Sequence, residues 1–99
     1  MDPRYTQLAQ QLVNFSVSVH PGDRVLLDLL EVPEAMAVAL IRAVRARGGH
    51  PFLLSHQARV TAELLRESDP AEHALVAALE LQRMQQMQAY IAVRGSHNI

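Results

Sequence analysis

From Val25 to Leu30 the chain is apolar almost without a break, with Val25, Leu26, Leu27, Leu29 and Leu30 interrupted only by Asp28. The run is too short for an ordinary helix, and it lacks the polar–apolar alternation of a strand with one wet face. It is the pattern of a strand buried on both sides in a parallel sheet. His20-Pro21-Gly22-Asp23 stands immediately before it, where a fixed proline φ and a permissive glycine mark a turn. A parallel strand constrains the rest of the chain, because its neighbour can be reached only by a crossover, usually a helix.

The sequence supplies that crossover. Pro33 and Glu34 open a helix in which Met36, Leu40, Ala43 and Val44 keep helical spacing, and Arg42, Arg45 and Arg47 gather at its end, where the helix dipole is negative. Gly48-Gly49 stops it, and the apolar Phe52-Leu53-Leu54 follows, so residues 24–55 read as one β-α-β unit with a right-handed crossover. Before this unit, Asp2 caps and Pro3 begins a helix with a stripe of Tyr5, Leu8, Ala9, Leu12 and Val13. After it, Val60–Glu67 reads as a short helix. Asp69-Pro70-Ala71-Glu72 carries a cap, a first-turn proline and the reciprocal acid of a capping box, and opens a long helix through Met84 or Met87. Tyr90-Ile91-Ala92-Val93 is a third strand.

The expected architecture is therefore a single α/β domain over residues 1–99, with an N-terminal helix and then β-α-β-α-β. Its three-stranded parallel sheet lies near residues 25–30, 52–55 and 90–94, with helices on both faces in the manner of a Rossmann fragment. With 49% apolar and 19% charged residues in 99, the chain has the composition of one folded domain.

Most site chemistry is missing. There is no cysteine, which removes disulfides, thiolate nucleophiles and iron–sulfur ligation. Nine basic residues are scattered along a chain of net charge −1, so no stripe of positive potential suits a phosphate backbone, and nucleic acid is not an expected partner. Neither a membrane span nor a secretory leader is visible, and the expected location is cytoplasmic. Gly48-Gly49 ends a helix instead of opening one and forms no phosphate cradle. His20, His50, His56, His73 and His97 lack the spacing of a zinc protease helix, and no serine sits in a nucleophile elbow. Met84 and Met87 read as gap-filling core.

One constellation follows from the fold itself. Ligands of open parallel sheets bind outside the carboxyl ends of the strands. Those ends here are Asp28 and Glu31, then Ser55 and His56, then Arg94, Ser96, His97 and Asn98. They form a polar cluster along one edge of the domain.

Met1-Asp2-Pro3-Arg4, Leu8-Ala9 with Leu12-Val13, Pro21-Gly22-Asp23-Arg24-Val25-Leu26, Arg47-Gly48-Gly49-His50-Pro51, and Tyr90-Ile91-Ala92-Val93-Arg94-Gly95 with Asn98 occur in this order in the aminopeptidase T family. The chain resembles the N-terminal part of these longer, thermophilic-type leucyl metalloaminopeptidases. The resemblance implies a metalloprotease, a hydrolase that removes N-terminal residues from peptides with two divalent ions (Zn, Co, Mg or Mn). Such a site holds its ions about 3.5–4 Å apart to make hydroxide and polarise the peptide carbonyl. The family's Glu, His, Tyr and Asp ligands belong to a C-terminal catalytic domain. No residue of this chain takes a catalytic, cofactor-binding or metal-ligating role by correspondence. The implied partners are that catalytic domain, a second copy in a dimer and, for the full-length enzyme only, a peptide substrate. The segment Leu27-Asp28-Leu29-Leu30-Glu31 departs from the family, which often has a glycine here. Two other readings remain at this stage: a stand-alone α/β module that binds a small ligand at the strand ends, and a dimerisation module.

Overall fold

The computed structural model describes residues 3–95. It contains α1 (Pro3–Gln11), a π-helical turn (Leu12–Ser16), β1 (Arg24–Leu30), α2 (Glu34–Ala46), β2 (His50–His56), α3 (Ala58–Arg66), α4 (Pro70–Gln85) and β3 (Ala89–Arg94). The protein is α/β, and its three strands form an open parallel sheet in the order β2-β1-β3. The apolar run is the central strand, with every one of its backbone neighbours in place. The π-helical turn had no sequence expectation; it lets the chain leave α1 with Val13 still buried and Phe15 turned out to solvent, 78% exposed.

Strand ends are wider than the apolar residues alone indicate. β2 extends two residues to each side of Phe52–Leu54, because backbone pairing with β1 runs from Arg24↔His50 to Leu30↔His56 whatever the side chains. The helix starts are as the caps dictate. Asp69 Oδ1 accepts from Glu72 N at 2.9 Å, and Pro70 takes the first turn of α4. Glu72 gives no return bond among the described residues, so only half of the expected capping box forms. The expected Asp2 cap lies outside the described residues.

The strand order decides where the helices go. β2 lies to one side of β1 and β3 to the other, so two right-handed crossovers put α2 on one face and α3–α4 on the opposite face. Cover on the two faces is unequal. α1 and α2 bury the first face, where Ala9, Val13, Val25, Leu27, Leu29, Met36, Leu40, Val44 and Ile91 form one core. On the second face α4 reaches the sheet only with its last turns, burying Leu26. No residue of α3 or α4 is buried, and Val60, Leu64, Leu65, Leu75, Val76, Leu79 and Leu81 are all more than half exposed.

The dimensions agree. The molecule measures 41 × 37 × 16 Å, and a sheet with one helix layer of ~10–12 Å diameter fills the smallest dimension. Its radius of gyration is 14.9 Å, against roughly 12.6 Å for a compact domain of this length. The accessible surface is 7178 Å², where a folded monomer of this mass exposes roughly 5,600 Å². α3 and α4 lie beside the sheet more than over it.

Candidate functional site

Strand register lays the second face out as a grid, since parallel neighbours in register point the same way. Nearest the carboxyl ends is the row His56, Leu30, Arg94; the next row is Leu54, Asp28, Ala92; the third is Phe52, Leu26, Tyr90. Asp28, the one polar interruption of the central strand, is thus at the centre of the bare face. His56 and Tyr90 occupy opposite corners and both reach back to it.

Tyr90 donates its phenolic hydrogen to Asp28 Oδ2 at 2.6 Å, and His56 Nε2 lies 3.0 Å from Asp28 Oδ1. Each carboxylate oxygen has its own partner, one from each flanking strand. The hydrogen bond to Asp28 raises the Tyr90 pKa above its ordinary value of 10.0. Partial desolvation and the negative charge of Asp28 add to this, and Arg94 opposes it. The arrangement explains how the sheet tolerates an acid in mid-strand: its charge faces solvent and two donors, never the core.

Two shallow clefts flank this cluster. One, of about 210 Å³, lies under the end of α4 between Leu54, Glu80, Arg83, Met84 and Tyr90. The other, of about 250 Å³, opens toward the strand ends between Leu30, His56, Thr61, Ala92 and Arg94. Met84 is therefore a cleft wall, 39% exposed, and not the core filler its spacing suggested. α4 stands too far off the sheet for its methionine to be enclosed.

At the strand ends the backbone is tightly drawn. Glu31 takes φ +55; its N–H donates to His56 O at 3.0 Å, and its Oε1 accepts from Ala58 N at 2.7 Å at the start of α3. Gly95 N donates to Leu30 O at 2.7 Å, and a Cβ on Gly95 would fall on the Glu31 carbonyl. Glu31 thereby ties β1 to β2 and caps α3 with its carboxylate, which the helix N-terminus favours.

Of the residues the sequence placed at the strand ends, the structure brings Asp28, His56 and Arg94 to one face, with Glu31 at its rim. Ser55 pairs with Leu29 and so shares the opposite, α1–α2 face. Ser96, His97 and Asn98 lie outside the described residues. Sequence reasoning missed Tyr90, which it treated only as part of a strand. The signal was available in register: with both strands parallel, Tyr90 falls two residues from Asp28 on the same face. Among the described residues no three His, Cys, Asp or Glu side chains come close enough to share a metal ion. No helix described is long and apolar enough to cross a membrane. No protein-family profile matches the chain, and no curated protein matches it.

Proposed function

We propose that this chain is the N-terminal scaffold portion of a metal-dependent aminopeptidase of the aminopeptidase T type, whose two-metal site is carried by a C-terminal catalytic domain. The observation that carries the reading is the uncovered half of the fold. A parallel sheet normally has both faces packed. This one presents Phe52, Ala92 and the apolar sides of α3 and α4 to solvent, and exposes roughly 1,500 Å² more than a compact monomer of its mass. That excess is the size of surface one partner contributes to a large permanent interface. In this reading the catalytic domain packs against α3, α4 and the bare face. The ordered resemblance from Met1 to Asn98 names the parent enzyme, and dimer formation and a cytoplasmic location belong to the same proposal. The role of residues 1–99 is to support and wall the catalytic cavity, without supplying ligands to the metals.

Hydrogen–deuterium exchange tests the packing. The proposal expects amides of α3 and α4 to exchange fast in the isolated 99-residue chain and to be protected in the product that includes the catalytic domain. Equal exchange in the two would contradict it. The second reading, a stand-alone ligand-binding module, is favoured by one observation, the formed cleft beside Asp28. It expects no such added protection.

A further inference from the structure

We propose that β3 is a dimerisation edge, pairing antiparallel with β3 of a second copy across a two-fold axis at Ala92 and joining the two sheets into one. The inference gives a surface to the dimer formation included above, and rests on that reading only for the expectation of a dimer. Both outer strands end the sheet, but only one is equipped to pair. Glu31 N donates to His56 O and His50 N to Asp23 O, so the even residues of β2 bond β1 and its odd residues point outward. The outer side of β2 thus begins at Pro51, which has no N–H and blunts the edge. On the other side Gly95 N donates to Leu30 O, and Leu30 lies opposite Arg94, so the odd residues of β3 bond β1. The N–H and C=O groups of Tyr90, Ala92 and Arg94 then point outward. None of these donors has a partner among the described residues, and no proline interrupts the strand.

Symmetry sets the register. An axis at Ala92 places Ala92 opposite itself and Tyr90 opposite the partner's Arg94, which uses every outward donor and acceptor of both strands. An axis at Ile91 or Val93 carries Arg94 or Tyr90 past the end of the partner strand, and one at Arg94 sets two guanidinium groups against each other. The Ala92 register also suits the side chains. On the first face Ile91, a core residue, stands beside the partner's Val93, which packs on the core of its own copy, so the apolar layer runs across the junction. On the second face the positive Arg94 comes to the partner's Tyr90. That phenol is bonded to Asp28, and the cleft around it holds Glu80 as well, two acids against the single cation Arg83. The charge match occurs twice by symmetry. At the axis, alanine is small enough to let the strands close.

The test uses the 99-residue chain carrying Leu75→Lys and Leu79→Lys, which removes association through the apolar side of α4. Sedimentation equilibrium measures dimerisation, and NMR of a sample mixing isotope-labelled and unlabelled chains reads contacts between copies. The expected result is a dimer in which Ile91 of one copy contacts Val93 of the other, with dimerisation at least tenfold weaker in Ala92→Pro, which removes an outward N–H, and in Arg94→Glu, which sets an acid against Asp28 and Glu80. Arg94 is exposed, so Arg94→Glu keeps the test decisive if Ala92→Pro fails to fold. A monomer at millimolar concentration, a dimer without the Ile91–Val93 contact, or unchanged dimerisation in Arg94→Glu would overturn the proposal. None of these readouts involves metal-dependent peptidase activity or protection of α3 and α4, so failure here is distinct from failure of the aminopeptidase reading.

Discussion

Replacing Gly95 by alanine probes the closure of the strand ends at its tightest point. The added Cβ would overlap the Glu31 carbonyl carbon and oxygen, and both are backbone atoms that cannot swing away. Relief requires the end of β3 to retreat from β1, which breaks the 2.7 Å bond from Gly95 N to Leu30 O. Overpacking of this kind costs about 1–3 kcal/mol, and the lost hydrogen bond adds about 0.5–1.5 kcal/mol. The sum, about 2–4 kcal/mol, is a large part of the 5–15 kcal/mol that typically holds a domain together. At ~4–8 °C per kcal/mol for a domain of this size, the melting temperature falls by roughly 10 °C or more. Gly22→Ala is the control. It also has positive φ, +87°, but meets nothing within 4 Å, so its cost is backbone strain alone, about 1–2 kcal/mol. Thermal melts followed by circular dichroism measure both. A Gly95→Ala melt within 2 °C (about 0.5 kcal/mol) of the wild type would refute the close packing of Gly95 on Glu31.

Further outcomes follow from the same structure. Leu40→Ala, in a fully buried position on α2, lowers stability by about 2–5 kcal/mol in denaturant titrations, whereas Leu64→Ala, 72% exposed on α3, changes it by no more than about 0.5 kcal/mol in the isolated chain. Leu75→Lys and Leu79→Lys leave the melting temperature of dilute protein unchanged, since both side chains are more than half exposed, but reduce any self-association seen by sedimentation at high concentration. Asp28→Asn lowers the Tyr90 pKa toward its ordinary value in an ultraviolet titration performed in a Tyr5→Phe background. The sign of the linked stability is fixed: a phenol whose folded pKa is raised stabilises the fold fully below its unfolded pKa near 10, and that contribution is lost as pH rises through the folded pKa. Alkaline unfolding of the wild type is therefore steeper above pH ~10 than that of Asp28→Asn.

Much of the fold was legible because local signals and burial agree. The apolar run marked β1 as a central strand, Pro33 and Asp69-Pro70 marked helix starts, and the glycine pair marked the end of α2. What the sequence concealed depends on long-range geometry. The uneven cover of the two faces could not be read from α4, whose apolar residues Leu75, Val76, Leu79 and Leu81 look the same whether they pack on this sheet or on another part of the protein. The site was half visible for the same kind of reason. Asp28 stands out as the polar break in β1 and His56 as a polar group at the end of β2, but joining Tyr90 to them requires register across 62 residues of chain. Ser55, one residue from His56, is lost to the other face because side chains alternate along a strand.

The central claim is that residues 1–99 scaffold a catalytic domain they do not themselves contain. Its most direct test is release of leucine from leucine p-nitroanilide by the product of the reading frame that encodes this segment, compared with the isolated 99-residue chain, each with and without added Co, Zn, Mg or Mn. The account predicts metal-dependent release by the longer product, abolished by chelation, and none by the isolated chain. A reading frame that closes after Ile99, or a longer product without metal-dependent release, would contradict it.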